Sequence, residues 1–194
     1  MLTEITTIRQ ARILRAAIIL CFIVFAAVVR ILPHPWNFTP VGAMALFSGA
    51  KLGRTWKAFV LPLSALLFGD FFVGFYRIMP LVYLSFCLSV LIGIFVRNRQ
   101  SPVTLSIATL LGAAQFFLIT NWAIWAFGTT YAKSLGGLLG CYAAGMNYFG
   151  NTLAGDAFYA LLLFGGFALV ERTVPTLPSS APVQAEYRSL VNRL

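Results

Sequence analysis

RILPHPWNFTP, residues 30–40, separates two apolar runs of this chain and decides how its first half is organised. Each of its prolines, Pro33, Pro35 and Pro40, removes a backbone donor and restricts the residue before it, so a continuous helix cannot pass through. Non-helical backbone at membrane depth is tolerated only where protein buries it or water reaches it. The stretch therefore predicts the wall of a binding cavity or, alternatively, a surface loop kinked by prolines.

The composition is that of a helical membrane protein. Of 194 residues, 60% are hydrophobic and 10% are charged, and the mean hydropathy is +0.87. Soluble domains carry about 25% charged residues, so this chain cannot cover itself with a polar surface. Its apolar runs are long and nearly continuous, which excludes the alternating pattern of a membrane barrel.

The apolar runs predict an all-α integral membrane protein with six transmembrane helices. The second helix is too short to cross a membrane core, which takes about 20 residues. The proline-rich loop 31–40 separates this second helix from the first. The glycine-rich segment 134–148 is expected to be re-entrant or interfacial. Residues 1–172 then form one membrane domain, followed by a disordered cytoplasmic tail at 173–194. The expected helices cover about 16–32, 39–51, 57–76, 79–96, 103–127 and 151–170.

Basic residues indicate the orientation, because Lys and Arg accumulate in cytoplasmic loops. With six crossings and both termini inside, only Arg30, Arg77 and Lys133 of the 14 Lys and Arg residues fall outside. The formal charge of +9 is then an orientation signal, and no nucleic-acid partner is expected.

Polar side chains concentrate in the predicted outer half of the spans. A charged group within a span costs about 2.5–3.5 kcal/mol, so Asp70 and Asp156 are functional-site candidates. Alternatively, each carboxylate caps backbone of a broken segment or pairs with Arg30 or Arg77. The predicted solute-binding residues are His34, Trp36, Asn37, Asp70, Tyr83, Cys87, Asn121, Trp122, Trp125, Asn147, Asn151 and Asp156.

Several of these residues also have simpler explanations. Trp122 and Trp125 fit an interfacial aromatic belt. Cys87 fits a small packed hydrophobe, and His34 fits a loop hydrogen bond.

Motifs of common enzymes and pumps are absent from the sequence. It contains no GxxxxGK[ST], HExxH or GxSxG pattern, so no P-loop nucleotide site and no common intramembrane hydrolase site is indicated. An enzyme is therefore the alternative function. It would act on a lipid or isoprenoid head group through Asp70, Asp156 and a metal.

A family resemblance is carried by the segments RILPHPWNFTPVGAMALFSGA, FGDFFVGFY, TNWAIWAFG and FGNTLAGDAFYALLLFG. They resemble a family of uncharacterised six-helix bacterial membrane proteins, which is similar to the substrate-binding S components of energy-coupling factor (ECF) vitamin transporters. The resemblance covers about residues 30–165. It implies a vitamin-binding uptake component of the bacterial inner membrane with cytoplasmic termini and no intrinsic cofactor. It also implies an energising module of ATPases plus a coupling membrane protein.

Among the vitamins that S components bind, cobalamin suits these residues best. A corrinoid needs a wide, aromatic-rimmed pocket and offers its cobalt to an imidazole or thiolate ligand. His34 and Cys87 are the predicted cobalt ligands, with Tyr83, Trp122 and Trp125 as walls of the pocket.

Overall fold

The computed structural model describes residues 2–32 and 35–173. Within these ranges the secondary structure is helical, with no strand. The helices are α1 (Leu2–Ile31), α2 (Val41–Leu52), α3 (Trp56–Val73), α4 (Met79–Val96), α5 (Pro102–Phe127), α6 (Leu135–Ala160) and α7 (Gly166–Thr173), with a π-helical turn (Leu161–Gly165) between the last two. Pro33, His34 and the part of the predicted tail at 174–194 lie outside the described residues.

Four helical stretches are long and apolar enough to cross a membrane: Ile13–Arg30, Met79–Val96, Pro102–Phe127 and Leu135–Thr173. Their length and composition indicate a membrane protein, as the sequence predicts. The helix α2, with 12 residues, is too short to cross, since it is only about 18 Å long.

The segment 134–148 differs from its prediction. Instead of a separate re-entrant or interfacial element, it forms the first half of α6. The side chain of Ser134 caps this helix by accepting a hydrogen bond of 3.2 Å from the Gly137 N–H. Glycines lower helix propensity in water but are frequent in membrane helices, where every backbone group must find an internal partner. The glycine-rich segment is therefore able to continue into the apolar part of α6 as one helix.

The short helix α2 is the centre of the bundle. Residues 43–50 are all buried, and α2 contacts α1, α3, α4, α5 and α6. A helix that is apolar on every side must be covered by protein or by lipid, and the burial of 43–50 shows that protein covers α2. The other helices therefore surround α2.

Two glycines allow the close crossing of α2 and α4. A Cβ on Gly49 would lie 2.1 Å from the Val90 carbonyl oxygen, and a Cβ on Gly93 would lie 2.1 Å from that of Leu46. No larger side chain fits at either position, because both neighbours are backbone atoms. This crossing fixes the position of α2 between its neighbours.

The bundle has two chemically different ends, which we name by their residues. The basic end carries Arg15, Lys51 and Arg97, and there Arg15 forms an ion pair with Glu171 that ties α1 to α7. The opposite end, where α1 finishes and α2 starts, is the Arg30 end. From α1 to α6 successive helices run alternately between the two ends, and α7 continues α6 through the π-helical turn.

Candidate functional site

The first half of the site is an ion pair between α1 and α3 at the Arg30 end. Arg30 pairs with the Oδ1 atom of Asp70, whose side chain is fully buried. The guanidinium lies directly over Gly69, where a Cβ would come within 2.6 Å of the Arg30 Nε atom. Gly69 therefore makes room for the partly buried Arg30 side chain, and Asp70 supplies its countercharge.

A tyrosine completes this group. The Tyr83 hydroxyl, on α4, donates a hydrogen bond of 2.9 Å to the Oδ2 atom of Asp70. Both carboxylate oxygens are therefore engaged, one by a cation and the other by a neutral donor. Such pairing offsets the cost of a charge in an apolar interior.

The second half of the site is Asp156 on α6, which accepts a hydrogen bond from the first turn of α2. The Ala43 N–H donates 3.2 Å to Asp156 Oδ1, and Pro40, the N-cap residue of α2, provides no side-chain cap of its own. A carboxylate at a helix N-terminus satisfies an orphan N–H and interacts favourably with the helix dipole. Gly42 makes this approach possible, because a Cβ there would lie 2.3 Å from Asp156 Oδ1.

The loop before α2 is fixed to the same stretch of α6. A Cβ on Gly155 would lie 3.1 Å from both Phe38 Cα and Thr39 N, so the loop backbone packs directly on the helix. The side chain of Asn151 donates a hydrogen bond of 3.0 Å to the Trp36 carbonyl oxygen. The sequence segments NFTP and NTLAGD are therefore in direct contact.

Two Gly–Asp pairs thus bind the two ends of the segment that connects α1 to α2. The pair Gly69–Asp70 binds Arg30, where the segment begins, and the pair Gly155–Asp156 binds the backbone at 38–43, where it ends. In each pair the glycine allows close approach and the aspartate accepts a hydrogen bond.

A hollow of about 180 Å³ lies against this segment, inside the bundle. Both a cation and a carboxylate line it, because Arg30 and Asp156 are among its walls. A solute in this hollow can receive hydrogen bonds from one wall and donate them to another. The lining consists of Arg30, Asn37, Thr39, Gly42, Tyr76, Val82, Phe86, Ser89, Gly112, Phe116, Thr152 and Asp156.

A second hollow of about 90 Å³ adjoins the first between α5 and α6. The two share Asn37, Phe116 and Thr152 as lining residues. Asn37 has a positive φ of 61°, a conformation that residues other than glycine seldom adopt and that Asn tolerates best. This backbone turn places Asn37 at the boundary between the two hollows.

Tyr76, in the loop between α3 and α4, also lines the larger hollow. Burial, with the Asp70 carboxylate as a second cause, raises the pKa of Tyr76 to about 12. The phenol therefore stays neutral at physiological pH and is available as a hydrogen-bond donor.

The structure places the residues predicted from the sequence in three groups. Asn37 and Asp156 line the larger hollow, and Asn37 and Asn121 line the smaller one. Three others support the site from behind: Asp70, Tyr83 and Asn151.

The remaining predicted residues that the structure describes line neither hollow. Trp36 and Asn147 are exposed, and Trp122 packs edge-on against Phe127. The Trp125 indole donates to the Ala132 carbonyl oxygen at 2.9 Å. Cys87 on α4 is half-buried, away from both hollows. His34 lies outside the described residues, and within them no group of three or more His, Cys, Asp or Glu is placed to hold a metal.

Sequence reasoning missed several polar lining residues. Ser89 and Thr152 lie within apolar helices and gave no signal beyond their polarity. Behind Ser89, the Gln115 side-chain amide donates to Ser89 Oγ at 3.0 Å and to the Ser85 carbonyl oxygen at 2.9 Å. A Gln in the middle of an apolar span was a usable signal, because such residues bond across helices.

The fold and the site together define a helical membrane protein with a polar internal hollow. The chain belongs to a family of unknown function, DUF6580, whose model matches residues 10–177. No curated protein and no solved structure matches the chain.

Proposed function

We propose that this chain is the solute-binding membrane component of a micronutrient uptake system, comparable to the S components of ECF vitamin transporters. The observation that supports it most is the larger hollow, where Arg30 and Asp156 line one space within the bundle. A membrane protein that needed only stability would fill this space with apolar side chains, since buried charges are costly. A solute that bonds to both groups gives a reason for keeping them.

Asp156 is the group that we assign to direct solute contact. Among the described residues its hydrogen-bond donor is the Ala43 N–H, which uses Oδ1. The second oxygen is then available to a donor group on a solute. Arg30 is already neutralised by Asp70, so the site as a whole favours a neutral or cationic solute with hydrogen-bonding groups.

The volume supports a small solute. Pockets for drug-sized ligands have volumes of about 300–1,000 Å³, and the hollows here measure about 180 and 90 Å³. A corrinoid is larger than a drug-sized ligand and needs a wider space than these hollows provide. Cobalamin therefore stays a prediction of the family resemblance, with His34 and Cys87 as its predicted cobalt ligands, whereas the hollow favours a single-ring vitamin or precursor.

The orientation that we propose places the basic end in the cytoplasm and the Arg30 end outside. Basic residues in short loops favour this arrangement. In it, six helices lie in a bacterial inner membrane and both termini lie in the cytoplasm. The solute would then enter from the outer face, near the segment held by the two Gly–Asp pairs. Energy for uptake would come from a partner module of ATPases plus a coupling membrane protein.

The enzyme alternative has weaker support from the site. Both oxygens of Asp70 are engaged, by Arg30 and Tyr83, so this carboxylate is not available as a base or a metal ligand without breaking both contacts. Asp156 alone does not provide the two carboxylates that the alternative would use together with a metal.

Uptake by intact cells tests the proposal. Cells that produce the wild-type chain, Asp156→Asn or the control Gly150→Ala are incubated in a defined vitamin mixture, and the medium is followed by mass spectrometry. We expect cells with wild type or Gly150→Ala to remove one small solute from the medium without altering it chemically. Cells with Asp156→Asn should lose this activity. Depletion of no solute contradicts uptake, and a chemically altered product would support the enzyme alternative.

A further inference from the structure

A separate groove lies between α5 and the continuous helix formed by α6, the π-helical turn and α7, toward the basic end. Its volume is about 720 Å³. The contacts that join α5 to α6 lie toward the Arg30 end, where Cys141 Sγ donates to the Asn121 carbonyl oxygen and Tyr142 to that of Leu118. Farther from that end the two helices separate, and the groove opens between them.

The groove walls are apolar along most of their length. Leu105 and Leu110 of α5 face Leu153, Leu161 and Phe164 of the opposite helix. The side chain of Leu161 is 73% exposed and that of Leu110 is 48% exposed, so the groove is open to the hydrocarbon region. An empty groove of this size would lose dispersion contacts on every wall, and a lipid acyl chain restores them.

Lys51 and Glu171 line the end of the groove, and among the described residues Lys51 forms no ion pair with a carboxylate. Lys51 Nζ donates to the neutral Gln100 amide at 2.8 Å and lies 4.6 Å from the ring centroid of Phe167. The nearby Glu171 carboxylate is held by Arg15. Among the described residues at this end of the groove, the carboxylate is therefore bonded to Arg15, and Lys51 presents its ammonium group beside a neutral amide.

We propose that this groove binds one anionic phospholipid, with its acyl chain between α5 and the helix formed by α6 and α7 and its phosphate at Lys51. Basic pockets between membrane helices select anionic head groups, because the charge and the acyl chain are bound together. The site is independent of the hollow at the Arg30 end, and binding of the lipid does not require the proposed uptake function.

Lipid retention tests the site in the full chain. Protein in mild detergent is mixed with phosphatidylglycerol or phosphatidylcholine, and retained lipid is counted by native mass spectrometry. We expect one phosphatidylglycerol per chain, in preference to phosphatidylcholine. Lys51→Met should weaken this retention about fivefold, the effect of one basic residue near an anionic lipid surface. The matched control is Lys57→Met, an exposed lysine at the same end.

A second pair of variants tests the acyl-chain part of the groove. Ala157→Phe fills the groove, whereas Ala154→Phe adds the same ring to an exposed position of α6 that does not line it. We expect loss of phosphatidylglycerol in the first and wild-type retention in the second. The proposal is overturned if wild type retains both lipids equally, or if either Lys51→Met or Ala157→Phe retains phosphatidylglycerol as wild type does.

Discussion

Arg30 and Asp70, 40 positions apart in the sequence, form an ion pair that joins the end of α1 to the end of α3. Asp70 is fully buried and Arg30 partly buried, and Arg30 also lines the larger hollow, so one contact links the stability of the bundle to the site. The predictions below test this link and its counterpart at Asp156.

The ion pair predicts strong coupling between its two members. Asp70→Asn leaves a buried guanidinium without its countercharge and should destabilise the protein by about 3–5 kcal/mol. Arg30→Met should cost a similar amount, and the double variant much less than the sum of the two. The unfolding free energy in detergent, measured for all four proteins, gives the coupling. Arg77→Met, at an exposed arginine of the same end, should be nearly neutral, and additive effects at Arg30 and Asp70 would contradict the pair.

Gly155 predicts a strict size limit where the loop meets α6. Gly155→Ala pushes a methyl group against the backbone of Phe38 and Thr39, with a cost of about 1–3 kcal/mol. The matched control is Gly150→Ala, one turn or so earlier on α6, where a Cβ meets nothing within 4 Å. That change should be neutral or stabilising, because Ala favours helix by about 1 kcal/mol over Gly. The melting temperatures of the two variants test this difference, and equal values would contradict the close packing at Gly155.

Asn37 predicts a separation between backbone and side-chain effects. Asn37→Gly keeps the left-handed backbone available and removes only the amide, so stability should stay near wild type while solute retention falls. Asn37→Ala loses the amide and adds backbone strain of about 1–2 kcal/mol. Comparing the melting temperature and the retained solute of the two variants checks this. If both variants retain solute like wild type, Asn37 has no role in binding.

The proposed orientation predicts which loops react from outside the cell. In a variant whose native cysteines are replaced, Thr129→Cys lies at the Arg30 end and Asn98→Cys at the basic end, and both positions are exposed. A membrane-impermeant maleimide should label the first in intact cells and the second only after the membrane is opened. The reverse pattern would place the basic end outside.

The sequence was informative wherever a residue conflicted with its surroundings. A carboxylate in an apolar run is costly, and this marks Asp70 and Asp156 in the sequence. Their contacts agree with the alternative interpretation of pairing or capping, because Asp70 pairs with Arg30 and Asp156 accepts a hydrogen bond from the Ala43 N–H. The prolines of 30–40 correctly ended α1 before α2. The bounds of α4, Met79–Val96, agree with the prediction because a proline stands in its first turn and the polar loop 97–101 follows it.

The shared hollow could not be predicted from the sequence. These helices are apolar on all sides, so the sequence carries little information about which face of each points inward. Ser89 and Thr152 line the larger hollow because of the faces that α4 and α6 turn toward it. Trp36 is exposed although the next residue, Asn37, lines both hollows. The prediction placed 134–148 outside the sixth span because six crossings left no room for a seventh, whereas this segment and the sixth span form one continuous helix.

The amount of solute that stays with the purified chain is the measurement that tests the central claim most directly. Wild type, Asp156→Asn and Gly150→Ala are extracted gently, and small molecules released on denaturation are counted per chain by mass spectrometry. Asn at position 156 keeps an acceptor for the Ala43 N–H while removing the charge, so the fold should persist. We predict one small solute per chain in wild type and Gly150→Ala, and its loss in Asp156→Asn. A folded Asp156→Asn protein that keeps the solute at the wild-type level would contradict the account.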